Sequence, residues 1–256
     1  MTRTLAALLL TAAPATAQTA VGLAGDRTLV RIDPATAAVT GTVDAQVDGR
    51  LLGIDYRPAT GQLIAVTEDH AILAIDPASG AATELSRMSA MLPLSLGLPV
   101  IVDFNPAADR LRLMTGTVNH RVDVGTGEVA VDGELAFLQD DGNSGAEPMI
   151  VAAAYINSFG KPEATAMFNI DQALSALVQQ APPNDGTLAT IGALGIRIEG
   201  PVGFDVATDE GGSNTAWLAA GGALHTIDLS SGAVTGTWPI TGRAADLRDL
   251  TVMPAM

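Results

Sequence analysis

The sequence predicts an all-β fold, a five-bladed β-propeller with the last blade shared between N- and C-terminal strands. Three observations lead there. A motif resembling G-x-D-x-x-P recurs about every 49 residues, a strand–turn–strand motif ending in aspartate recurs between its copies, and each chain end carries strands that the other lacks.

The first motif reads Gly53-Ile54-Asp55-Tyr56-Arg57-Pro58, then Ile101-Val102-Asp103-Phe104-Asn105-Pro106, then Gly203-Phe204-Asp205-Val206. A worn copy, Asp249-Leu250-Thr251-Val252-Met253-Pro254, lies at the C-terminus, and Ala152-Ala153-Ala154-Tyr155-Ile156 has lost both aspartate and proline. Aligning Asp55, Asp103, Ala154, Asp205 and Thr251 gives spacings of 48, 51, 51 and 46 residues. Five such units fill the chain after residue 17, and six or seven blades would need shorter units.

The second motif appears as Leu29-Val30-Arg31-Ile32-Asp33-Pro34, as Ile72-Leu73-Ala74-Ile75-Asp76-Pro77-Ala78-Ser79-Gly80 and as Leu224-His225-Thr226-Ile227-Asp228-Leu229-Ser230-Ser231-Gly232, with a degraded copy at Arg121-Val122-Asp123-Val124-Gly125. Each is a strand of period two followed by a turn and a second strand, and the terminal aspartate suits turn N–H groups as an Asx-turn acceptor. One further strand lies between the motifs, for example Gln62 to Thr67 or Thr215 to Ala219, so each unit holds four strands. The N-terminal segment supplies three strands, around Val21-Gly22-Leu23, Leu29 to Ile32 and Val39 to Val43, and Asp249 to Pro254 supplies the missing fourth. That arrangement closes the ring. In the irregular middle unit, Ala164 to Ile170, Leu174 to Gln179 and Leu188 to Ile191 read as strands, with a helix over Asp171 to Gln180 as the competing reading.

The first residues pair a basic start at Arg3 with an apolar run from Leu5 to Ala13 and the triplet Ala15-Thr16-Ala17, the pattern of a signal peptide over 1–17 cleaved before Gln18. The domain is then 18–256, and the expected location is secreted or periplasmic. The apolar run is too short to span a bilayer, and no later segment approaches the roughly 20 apolar residues required. The chain has no cysteine, so its core must stand without disulfides. The net charge of −15 becomes −16 once Arg3 is removed, which argues against nucleic acid and anionic membrane surfaces as partners.

Five stretches together resemble the uncharacterised bacterial domain-of-unknown-function family 4394: G-I-D-Y-R-P-A-T-G-Q-L (53–63), V-D-F-N-P-A-A-D-R-L-R (102–112), V-A-A-A-Y (151–155), P-P-N-D-G-T-L (182–188) and P-V-G-F-D (201–205). The resemblance covers nearly all of the chain after residue 17. It implies a secreted propeller-like fold and carries no established activity or site.

Asp55, Asp103 and Asp205 occupy one equivalent position on three innermost strands. Two arrangements are open. Pointing into the channel, they would suit a hard cation such as Ca²⁺, with Asn105 as a neutral oxygen ligand. Pointing between blades, each would bond a neighbouring backbone and serve the fold. The loop Asp140-Asp141-Gly142-Asn143-Ser144 lacks the alternating spacing of an EF-hand and reads as a solvated connection. His120 and His225 align with Val30 and Leu73 on an apolar strand face, and neither they nor His70 forms a zinc-ligating pair. No G-x-S-x-G elbow is present. Trp217 and Trp238 read as packing residues. Three functions remain: a non-catalytic envelope module binding a protein, glycan or small ligand through one face of the ring, a Ca-dependent hydrolase or lactonase-like enzyme at the channel, or a purely structural role within a larger secreted assembly.

Overall fold

The computed structural model describes residues 18–94, 97–242 and 246–254; the expected signal peptide over 1–17 lies outside them. Five small sheets stand in a ring. Blade 1 comprises β4 (Leu51–Arg57), β5 (Gln62–Thr67), β6 (Ala71–Ile75) and β7 (Ala82–Arg87), ordered from the axis outwards. Blade 2 holds β8 (Ile101–Asn105), β9 (Arg110–Thr115), β10 (Val118–Val122) and β11 (Val129–Val131). Blade 3 holds β13 (Ile150–Tyr155), β14 (Met167–Asp171), β15 (Ala176–Gln180) and β16 (Thr187–Ala193), and blade 4 holds β17 (Gly203–Thr208), β18 (Asn214–Ala220), β19 (Ala223–Ile227) and β20 (Val234–Pro239).

Blade 5 joins the two ends. The C-terminal β21 (Leu247–Met253) is its innermost strand and pairs antiparallel with β1 (Thr19–Ala24), followed by β2 (Thr28–Asp33) and β3 (Ala38–Asp44). The inner strand of each blade contacts the next, β21 against β4 included, so the ring is closed. The middle unit resolves to strands: 171–180 holds the end of β14, a turn and β15, and no helix. Leu177 and Val178, helix-tolerant by propensity, are fully buried between ladder partners, and that burial overrides propensity. A strand absent from the sequence reading, β12 (Ala136–Phe137), adds to blade 3 parallel to β16.

The core lies between blades rather than around one centre. Five apolar clusters form, one per junction: Val21, Leu23 and Met253 of blade 5 pack on Ile54 and Leu63 of blade 1, and Ile170 and Leu177 of blade 3 pack on Phe204 and Leu218 of blade 4. The outer strands β7 and β20 are largely exposed, as their polar sequences require. The hairpin aspartates act as read from sequence: Asp76 accepts the N–H groups of Ala78 and Ser79, and Asp123 those of Gly125 and Thr126. The glycine of the first motif has a steric cause. A Cβ on Gly203 would sit 2.5 Å from the Asp249 carbonyl carbon, and one on Gly53 would sit 2.7 Å from an Asp249 carboxylate oxygen.

The junction of blades 2 and 3 is also fastened by a buried guanidinium. Arg112, 1% exposed, donates to Asp132 (2.6 Å), Asn119 (2.8 Å), Asn184 (2.8 Å) and the Tyr155 hydroxyl (3.1 Å). Asp132 keeps a second partner in Arg121 at 2.6 Å, so removing Arg112 strands neutral acceptors more than a charge. Arg112→Met is expected to cost about 3 kcal/mol, lowering Tm by roughly 6–12 °C in calorimetry. An unchanged Tm would show that water replaces these bonds at no cost.

Candidate functional site

The inner strands carry two tiers of equivalent residues around the axis. The deeper tier is Asp55, Asp103, Ala154, Asp205 and Thr251; three residues earlier in the chain, on the strand or just before it, stand Leu52, Val100, Val151, Val202 and Arg248. At the rise of an extended strand the tiers are about 10 Å apart.

In the deeper tier the aspartates converge on one another and bond the neighbouring blade at the same time. Asp55, Asp103 and Asp205 are all buried, and each offers a carboxylate oxygen within 4.8 Å of those of the other two. Each also bonds the next blade. Asp55 accepts the Phe104 N–H (2.7 Å), Asp103 the Tyr155 N–H (2.9 Å), and Asp205 the Val252 N–H (2.5 Å). Blade 5 continues the pattern from a shifted position, with Asp249 accepting the Ile54 N–H at 2.7 Å. Thr251 stands between two of the carboxylates, its hydroxyl 2.7 Å from Asp55 and 3.2 Å from Asp205. At the blade 3–4 junction, where Ala154 offers no oxygen, Ser158 donates to the Val206 carbonyl (2.8 Å) and to Thr208 (2.7 Å) instead.

Asn105 does not join them. Its side-chain oxygen accepts the N–H groups of Ala107 (3.0 Å) and Ala108 (2.9 Å) in the β8–β9 turn. The three aspartates, with Tyr155, Ser158 and Thr251 among their neighbours, line a cavity of about 10 Å³, room for one water-sized body.

Burial dominates the electrostatics. It pushes Asp55 and Asp103 well above the ordinary carboxylate range, with repulsion from Asp205 on Asp55, and from Asp55 and Asp205 on Asp103, adding to it. Asp205 is pushed up to about 6 and Asp249 to about 7, each mainly by burial and partly offset by its backbone N–H donors.

The other candidates resolve as structure. Asp141 accepts the Thr190 N–H (2.6 Å) and the Asn143 N–H (2.8 Å), tying its loop to β16. His225 lies 2.9 Å from the Thr237 hydroxyl, His120 is buried on β10, and His70 accepts the Leu92 N–H at 3.2 Å. Trp217 and Trp238 pack against each other with ring centres 6.2 Å apart.

The upper tier, which sequence reasoning missed, rims a cavity of about 640 Å³ at the mouth of the ring. All five blades contribute, and the segment preceding β8 adds Leu94 and Leu98, 45% and 44% exposed and therefore open to a ligand. The signal was the same repeat, read three residues upstream of Asp55, Asp103, Ala154, Asp205 and Thr251.

The model of a family described as a domain of unknown function, DUF4394, matches residues 28–251. The chain belongs to this family. No curated protein matches it by sequence. Among solved structures, this chain is similar in fold to a protein of unknown function from Bacteroides thetaiotaomicron VPI-5482, at 14% identity and TM-score 0.52 over 95% of this chain and 68% of that one. A luciferin-regenerating enzyme aligns at 15% identity and TM-score 0.50 over 88% of this chain and 77% of the other. An auxiliary nutrient binding protein from Bacteroides ovatus ATCC 8483 aligns at 14% identity and TM-score 0.47 over 78% and 56%. At such identities the likeness concerns the fold alone.

The raised carboxylates set a pH dependence. An acid whose folded pKa exceeds its unfolded value near 4 binds more protons folded than unfolded, so its contribution to stability is present at low pH and lost as pH rises through the folded pKa. For Asp205 and Asp249 that window runs from about pH 4 to about 7. Burial holds His120 and His225 below their ordinary value, which works in the opposite direction near pH 6. A comparison that cancels the histidines isolates the effect: with chelator present, Asp249→Asn is expected to lose less Tm than the parent between pH 5 and 7.5. Parallel Tm–pH curves for the two proteins would contradict the assignment.

Proposed function

We propose that this DUF4394 protein is an exported, non-catalytic binding module that takes a small, largely apolar ligand into the mouth of its ring. The observation carrying this reading is the cavity of about 640 Å³, within the 300–1,000 Å³ range typical of small-molecule sites. Its walls come from residues at or just before the starts of the five inner strands together with Arg50, Glu68, Gln172 and the segment before β8, and a largely apolar wall with a few polar groups suits a small ligand better than an extended glycan.

The uncharged fluorophore N-phenyl-1-naphthylamine is expected to bind the purified chain at one site. Val202→Trp, which fills the cavity, should abolish binding, while Val131→Trp on the exposed outer strand β11 should not. Binding that survives Val202→Trp would place the ligand elsewhere.

A second reading concerns the deeper tier. The convergence of three buried carboxylates within 4.8 Å supports a structural cation, since oxygens bound to one Ca²⁺ at 2.3–2.6 Å lie no more than about 5 Å apart. Such an ion would take over the role of the bound protons and lock the inner strands. A hydrolytic role fits poorly, because a cavity of about 10 Å³ leaves no room for a substrate beside the ion. Metal analysis and Tm with and without Ca²⁺ test this. Asp103→Asn should remove any Ca²⁺-dependent rise, and Asp141→Asn should keep it. No bound metal and no shift would leave protons as the only counter-charge.

A further inference from the structure

Four of the five equivalent positions around the cavity are apolar: Leu52, Val100, Val151 and Val202. The fifth is Arg248. Its guanidinium donates four hydrogen bonds, all to backbone carbonyls: Nε to Gly25 (2.6 Å), Nη1 to Leu52 (2.9 Å), and Nη2 to Leu51 (2.5 Å) and Asp26 (3.1 Å). A guanidinium has five N–H donors, so one on Nη1 has no partner among the described residues. Nor does any carboxylate of those residues lie within 4.0 Å of it.

This side chain is fixed by carbonyls and carries a charge with no direct counter-ion. Burial and the neighbouring Arg50 push it down to about 10, partly offset by the more distant carboxylates of Asp249 and Asp26, which leaves it charged at neutral pH. Arg50 lines the same cavity and has only a loose contact with Asp26, at 3.9 Å. Two cationic groups meeting at one apolar cavity stand out in a chain of net charge −15, where anions are otherwise repelled. The Glu68 carboxylate is also at the rim, where it accepts the backbone N–H of Arg50 at 3.1 Å.

Resting on the cavity reading above, we infer that the ligand is an amphipathic monoanion: an apolar body against Leu52, Val100, Val151 and Val202, and a carboxylate or similar acid on Arg248, with Arg50 adding attraction from the rim. The pre-fixed guanidinium loses little side-chain freedom on binding, which favours this charge pair over one made by a mobile surface arginine.

The test uses two probes of one ring system, 8-anilino-1-naphthalenesulfonate and the uncharged N-phenyl-1-naphthylamine, with the full chain. The sulfonate is expected to bind about tenfold more tightly, the effect of one charge-assisted hydrogen bond. Arg248→Gln should erase that preference while keeping the uncharged probe, and Arg50→Gln should reduce it. Because Arg248 also ties strands together, a measurement on the unmodified chain stands beside the variant. Octanoate should displace the uncharged probe at lower concentration than octanol, although octanol is the more hydrophobic. Octanol displacing better, or equal affinity for the two probes, would overturn the charge assignment and leave the cavity reading intact. Failure of the uncharged probe to bind would sink both.

Discussion

Closing five sheets around a narrow axis leaves each inner strand with an edge of N–H groups that no strand pairs. Buried and unpaired, such groups are costly. Here the preceding blade supplies the acceptors: Asp55 for Phe104, Asp103 for Tyr155, Asp205 for Val252 and Asp249 for Ile54. Because inner strands converge at the axis, side chains that reach across the junctions also converge on one another. The gathering of negative charge at the centre is thus a consequence of the hydrogen-bond solution, and protons or a cation must accompany it.

The departures from the repeat make sense in those terms. Five aspartates at the equivalent position would crowd five carboxylates around the axis. Ala154 and Thr251 reduce the number to three, and the Thr251 hydroxyl places a neutral donor between Asp55 and Asp205. The junction that loses its carboxylate at Ala154 is refastened farther along the strand by Ser158 and Thr208. The junction that gains Thr251 moves its carboxylate two residues back, to Asp249, into space that Gly53 leaves free, while Gly203 leaves room for the Asp249 backbone.

Blade number, the shared terminal blade and the hairpin aspartates were legible because each recurs at a fixed spacing with a local physical cause. The two-residue strand β12 was not: a parallel pairing of Ala136 and Phe137 with β16 has no periodicity to betray it. The aspartates were legible as a set but not as one of two alternatives, since a carboxylate has two oxygens and can bond a neighbouring blade with one while facing its equivalents with the other. The rim was hidden for a different reason. Leu52, Val100, Val151 and Val202 look like ordinary strand starts, and Arg248 looks like a surface arginine until the ring sets it beside them.

The two tiers divide the labour of the axis. Residues of the deeper tier are bound by what closure demands of them, so they are poorly placed to meet a ligand of any size. Those three positions upstream lie at or just before the entry of the strands into the ring, where they border the larger cavity while Leu52, Val151 and Val202 still pack in the clusters between blades. Their backbones run on into strands held by the deeper bonds, which fixes where these five positions stand. A ligand there meets a preformed wall and forfeits little free energy in ordering it. That separation lets one blade exchange an apolar rim residue for an arginine and leave the closure of the ring to the tier beneath it.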